Sequence, residues 1–262
     1  MRWSISQKVW EVKEKIKEGN YMDFKTELAG GKKWIEAELE KYISREEVPE
    51  KQLNVSMEYS LLAGGKRLRP ILMRKVYELF GQDVKEIIPF AVAMEMVHNF
   101  SLIHDDLPGI DNDAMRHGKP TNHKMFGEAT AILAGDGLLN QAYHVIAKEL
   151  AQTEDAKELT RKIQAFEEFT QAVGRMIIGE YVDTEFEGKA ISEDYLEYIH
   201  SNKTAALLKA SVRIGAIIAD APEKDLEKLT AYAEKIGLAF QIRDDILSEI
   251  GDEKVLRKAC RK

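Results

Sequence analysis

Two groups of adjacent acids stand in otherwise apolar, helix-like runs far apart in the chain: His104-Asp105-Asp106-Leu107-Pro108-Gly109-Ile110-Asp111-Asn112-Asp113, and Gln241-Ile242-Arg243-Asp244-Asp245-Ile246-Leu247. Carboxylates crowded in apolar surroundings repel one another and are poorly solvated unless cations sit between them. Mg2+ fits this need, because it takes one or two protein carboxylates and completes its shell with water and substrate phosphate. Acids on opposing helices would then clamp one diphosphate through several ions. At about 100° per residue, His98, Ser101 and Asp105 share one helical stripe. Asp111 falls off that stripe unless Pro108-Gly109 breaks the helix and returns it. In the second group Asp244 and Ser248 are i, i+4 neighbours, so a hydroxyl stands where a third carboxylate would complete the pattern, with Glu249 and Asp252 nearby.

Three basic motifs could meet the same anion. Gly64-Gly65-Lys66-Arg67-Leu68-Arg69-Pro70 sets three cations after a flexible glycine pair, within reach of phosphate oxygens that arginine binds as a fork. Arg116-His117-Gly118-Lys119-Pro120-Thr121-Asn122-His123 closely follows the first acids. Lys203-Thr204-Ala205-Ala206 opens an apolar helix, where Lys203 could hold diphosphate while a Thr204 oxygen stabilises a cation, with Gln241 and Asp244 facing the same pocket. Taken singly, each motif has a plainer reading: a capped turn, a solvated basic helix start, a polar loop. Their joint occurrence carries the argument. His104, His123, His144 and His200 lack the mutual spacing of a zinc site.

The elements that must position these residues read as helices. Six prolines in 262 residues, and long stretches of Ala, Leu, Glu, Lys and Ile with 3.6-residue periodicity, predict an all-α protein. Helices are expected over 23–42, 51–63, 69–80, 84–106, 127–150, 154–178, 192–200, 203–219 and 223–249, with loops at 64–65, 81–83, 108–122, 188–189 and 220–222. With no repeat or dividing linker, residues 22–262 form a single large bundle of antiparallel helices. Residues 1–21, where Ile5, Val9, Val12 and Ile16 share a stripe, are an N-terminal appendage or extra helix. The net charge of −7 argues against nucleic acid, so attraction for a phosphorylated substrate must be local. The lone Cys260, a start without signal-peptide features, and the lack of an apolar run of about 18 residues point to a cytoplasmic protein without a transmembrane segment.

As a set, and in this order, Gly65 to Pro70, His98 to Asp113, Gly118-Lys119-Pro120-Thr121, Gly135-Asp136, Lys203-Thr204 and Phe240 to Asp245 resemble the trans-isoprenyl diphosphate synthases, the polyprenyl synthetase family, over about residues 23–258. The resemblance implies the isoprenoid synthase fold, with helices around a central substrate cavity. It also implies Mg2+-assisted ionisation of an allylic diphosphate (dimethylallyl or geranyl) and attack by isopentenyl diphosphate. Carried over by position, Asp105, Asp106 and Asp111, with Asp244 and Asp245, are the metal ligands for about three Mg2+ ions. Arg116, Lys203 and Lys258 grip the allylic diphosphate; Thr204 and Gln241 line the carbocation region; Lys66, Arg69, His98 and His117 belong to the isopentenyl diphosphate site. Phe100 and Ser101, before Asp105, would set chain length. Together with the Pro108-Gly109 insertion they resemble short-chain bacterial farnesyl diphosphate synthases, with geranylgeranyl diphosphate as the alternative product. A homodimer is implied.

The pattern departs from the family at four places. His117 stands for a second arginine, Ser248 for a last aspartate and Arg257 for a glycine, and the resemblance expects further helices after Lys262. These departures define a rival expectation, a C-terminally incomplete, non-catalytic or impaired homologue serving as a binding or partner subunit.

Overall fold

Residues 88–105 are two-thirds apolar, and in the computed structural model they form the helix on which the others pack. The structure describes residues 23–43, 46–81 and 83–250, with side chains up to 240. The N-terminal appendage expected over 1–21, Lys258, and the side chains of Gln241, Asp244, Asp245 and Ser248 lie outside the described residues.

Ten helices occur among these residues: α1 (Phe24–Leu39), α2 (Lys51–Leu61), α3 (Leu68–Tyr77), α4 (Ile88–Asp105), α5 (Asn122–Phe126), α6 (Glu128–Gln152), α7 (Ala156–Glu185), α8 (Glu193–Lys203), α9 (Ala205–Ile218) and α10 (Glu223–Ile250). Side chains mark several starts: Asp23, Asp155 and Ser192 accept hydrogen bonds from Lys25, Glu158 and Tyr195 backbone N–H groups. Helix α4 packs chiefly on α6, and α9 packs on α7, α10 and α3. The core joins Phe90, Met94 and Val97 of α4 to Leu138 and Ile146 of α6, Phe169 and Val173 of α7, and Leu207 and Ile214 of α9. Each such side chain contributes roughly 1.5–3 kcal/mol by leaving water.

Four details differ from the sequence expectations. The helix expected over 84–106 begins as a 3-10 turn, Val84–Ile87, before α4, where Pro89 falls in a first turn that needs no N–H from it. Within Val84–Asp105 an 18-residue window also has the length and mean hydropathy, 1.3, to cross a bilayer, contrary to the expectation that no apolar run is long enough; 72% of that window is buried, as in a central core helix. The expected loop 108–122 contains a small antiparallel hairpin, β1 (Met115–Arg116) paired with β2 (Lys119–Pro120). Its turn residues His117 and Gly118 have φ of 51° and 79°, the left-handed pair that a two-residue turn requires. Finally, α7 runs to Glu185 rather than stopping at 178.

Candidate active site

The end of α4 gives neighbouring aspartates different surroundings. Asp106 caps the helix and is 2% exposed. Arg116 forks onto it, Nε to Oδ2 at 2.7 Å and Nη2 to Oδ1 at 2.5 Å, with Asp113 Oδ2 3.8 Å from Nη2. Burial opposes the Arg116 charge, but Asp106 outweighs it and raises the guanidinium pKa. Asp106 therefore aims Arg116 from the hairpin toward the end of α4. Thr121 Oγ donates to the Asp113 carbonyl (2.8 Å) and Tyr59 OH to that of Pro120 (2.8 Å). Asn122 bonds the Ser56 carbonyl (2.9 Å) and Ser60 Oγ (2.8 Å) of α2, tying down the hairpin exit.

Asp105 has the opposite environment. Its carboxyl is pushed up to about 7 by burial and by the like charges of Glu180 and Asp111, against the pull of Lys203 and Arg116. The Pro108-Gly109 turn returns the chain so that Asp111 N–H donates to the Asp105 carbonyl at 2.8 Å. A metal cation would meet a real deficit here, since burial and adjacent negative charge leave Asp105 reluctant to ionise. Carboxylate oxygens are the donor type that Mg2+ takes.

Glu180 and Asp183 were not found from sequence. They lie in the part of α7 beyond 178, where the expected helix ends. Gly179 stays helical because its bare Cα face meets α8; a Cβ there would overlap the backbone nitrogen of Lys203. The contact carries α7 about two turns further and sets Lys203 Nζ 2.5 Å from Asp183 Oδ2 and 2.7 Å from Glu180 Oε2. Burial disfavours the ammonium, but these two carboxylates outweigh it and raise its pKa. The i, i+3 spacing of Glu180 and Asp183 was the available signal. Thr204 sits at the break between α8 and α9.

The three cations after Gly64-Gly65 also divide, which corrects the expectation that all three reach phosphate. Arg67 adopts a left-handed backbone conformation, φ 54°, and is 3% exposed. Its Nη1 donates to Glu95 Oε1 and its Nη2 to the Leu61 carbonyl, each at 2.6 Å. Lys66 remains exposed, 5.5 Å from the Phe240 ring of α10, and Arg69 is partly buried. The hairpin tip leans on this loop, since a Cβ at Gly65 (φ 112°) would lie 3.3 Å from His117 Cε1. Burial, and then Arg69, Arg116, Arg67 and His117, hold the His98 pKa well below its usual range, so this imidazole is neutral among cations. A second anion-attracting corner thus joins Arg69, His98 and His117. Phe100 is buried edge-on to His104 (4.9 Å, 73°), and Ser101 Oγ donates to the His98 carbonyl at 2.9 Å.

A model of the polyprenyl synthetase family matches residues 50–261. The chain is 46% identical over 233 residues to a farnesyl diphosphate synthase of Bacillus subtilis (strain 168), covering 88% of this chain and 77% of that protein. It is 46% identical over 209 residues to a geranylgeranyl diphosphate synthase of Cyanophora paradoxa, covering 79% and 69%. Among solved structures, an FPP/GFPP synthase from Zymomonas mobilis superposes with a TM-score of 0.80 at 32% identity, covering 89% of this chain and 87% of that one.

Proposed function

This chain belongs to the polyprenyl synthetase family, and we propose that it is a trans-prenyltransferase condensing isopentenyl diphosphate with dimethylallyl or geranyl diphosphate, with farnesyl diphosphate as the product. The single observation that carries this reading is a pair of charged corners that share Arg116: Asp105 near Asp111 and Lys203, and His98 near Arg69 and His117. Two anionic substrates need two such corners.

Mg2+, on which the family generally depends, would be held by Asp105 and Asp111 and would neutralise the leaving diphosphate. The protein's own part is positioning and charge. Lys203 donates to the allylic diphosphate, and Arg116, aimed by Asp106, donates from the hairpin side. The allylic C–O bond breaks with its electron pair going to diphosphate. The isopentenyl double bond then forms the new C–C bond to the allylic carbon, and a proton leaves the adjacent isopentenyl carbon for the departed pyrophosphate. The neutral His98 hydrogen-bonds the isopentenyl diphosphate beside Lys66 and Arg69, and Thr204 faces the developing cation. Gln241, Asp244, Asp245 and Lys258 keep their expected roles within this proposal. By the resemblance, the buried Phe100 ahead of Asp105 limits product length, which favours farnesyl over geranylgeranyl diphosphate. Exposed Met125, Ile132 and Leu133 on α5 and α6 support a homodimer, which sedimentation of the purified chain would check.

Chromatography of products after incubation with dimethylallyl and isopentenyl diphosphates and Mg2+ tests activity and chain length together. A C15 product is expected. Substrate binding without any product would replace this reading with that of a non-catalytic homologue.

A further inference from the structure

Lys203 is the cation the allylic corner most needs, and it is already paired twice, to Asp183 and to Glu180. An ammonium has three N–H donors, so one remains for a phosphate oxygen. Among the described residues, the Lys203 ammonium faces two carboxylates, and Asp105, which is also near Arg116, lies beside Glu180 as a further acidic neighbour. The second oxygen of Glu180, Oε1, is buried and accepts no hydrogen bond. That arrangement opposes a bare polyanion, although it holds the very lysine that should receive one. The Glu180 side chain is only 17% exposed, and the packing of Gly179 against the Lys203 backbone keeps the two residues' helices together.

Resting on the prenyltransferase reading, we propose that Glu180 is a positioning residue that couples diphosphate binding to a divalent cation: it fixes Lys203 for the substrate while keeping the corner too negative for diphosphate arriving without metal. A metal ion that offsets the carboxylates makes the remaining Lys203 donor effective. Diphosphate and metal therefore bind with positive coupling, and by linkage each raises the affinity of the other equally.

The test is calorimetric titration of inorganic pyrophosphate into the full chain, in Mg2+ and in EDTA. Wild type should bind at least about tenfold more tightly with Mg2+. Glu180→Gln keeps an acceptor for Lys203 and removes the charge. Pyrophosphate affinity in EDTA should then rise roughly tenfold while affinity in Mg2+ moves less than about threefold, shrinking the coupling. A merely structural role would weaken both conditions together, and that result, or an unchanged EDTA affinity, overturns the proposal. Asp183→Asn removes the other carboxylate of the group, should shift binding with the same sign, and decides the matter if the first variant does not fold. Turnover measured on the same samples separates the two readings. Metal-coupled pyrophosphate binding without prenyl transfer leaves the role of Glu180 standing and removes the enzyme reading. Turnover with coupling unaltered in Glu180→Gln does the reverse.

Discussion

Asp105 and Asp106 are consecutive residues of one type at the end of one helix, yet their surroundings make them opposites. Asp106 is buried with both oxygens engaged by a guanidinium, so its charge is compensated and it contributes to stability. Asp105 looks toward Glu180 and Asp111, and its charge is compensated only in part by Lys203 and Arg116. A helix turns about 100° per residue, so consecutive side chains must face different ways. One faces the hairpin that has to be held, and the other faces the region where substrate charge would arrive. Uncompensated charge is a liability for folding and an asset for binding a cation, so the two should respond oppositely to the same substitution.

The largest effect should come from Asp105→Ala, which is expected to lower turnover roughly 10³-fold, the scale of losing one major electrostatic contributor to a transition state. Unchanged turnover in a steady-state assay would sink the assignment of metal binding to this residue. Stability should move the other way from function: without metal at neutral pH, Asp105→Asn should melt no lower than wild type. Asp106→Asn is the counterpart, because it leaves the Arg116 guanidinium facing a neutral amide. Removing one partner of a buried pair costs about 3 kcal/mol, which for a chain of this size lowers Tm on the order of 10 °C. If both variants shift Tm in the same direction, the contrast drawn here is wrong.

The glycine-rich loop repeats the division. Arg67 turns inward to Glu95 and the Leu61 carbonyl, while Lys66 is exposed and Arg69 half-buried on either side of it. Arg67→Lys keeps the charge but cannot place two donors on two separated acceptors as a planar fork does. A loss of about 2 kcal/mol in a urea melt is expected, with a rise in KM for isopentenyl diphosphate larger than that for the allylic substrate. Equal changes in both KM values would mean that the loop does not aim Lys66 and Arg69.

Much of this could be read from the chain before any coordinates. Helical periodicity locates the helices, and the acids and bases that meet at the ends of α4 and α8 are those the motifs single out. What could not be read depends on contacts across the sequence. Arg67 bonds Glu95, 28 residues away, only because its backbone takes a left-handed turn, and nothing in a run of three cations says which one turns. Gly179, just past the expected helix end, tolerates a close backbone neighbour, Lys203, and that contact is invisible until α8 is placed against it. Glu180 and Asp183 were lost with that misplaced end. The His117-Gly118 turn was hidden because two residue pairs make too short a strand to show a pattern.

The smallest effect is in the pH dependence of stability, and its sign separates the two aspartates once more. Asp105 has its carboxyl raised to about 7 in the folded chain by burial and by Glu180 and Asp111, whereas unfolding returns it to the ordinary carboxylate value, near 4. Between those values the folded state holds a proton that the unfolded state has lost, so stability falls as pH rises through this window. The metal-free chain should therefore lose several degrees of Tm between about pH 5 and pH 7.5 from this group. Asp105→Asn cannot titrate and should flatten that slope. Added Mg2+ should flatten it as well, because a cation between the carboxylates favours the ionised form in the folded state. Asp106→Asn should leave the slope in place while lowering the whole curve, since it removes a compensated charge and not a strained one. A slope that survives Asp105→Asn would place the titrating group elsewhere and remove the evidence that Asp105 waits for a cation.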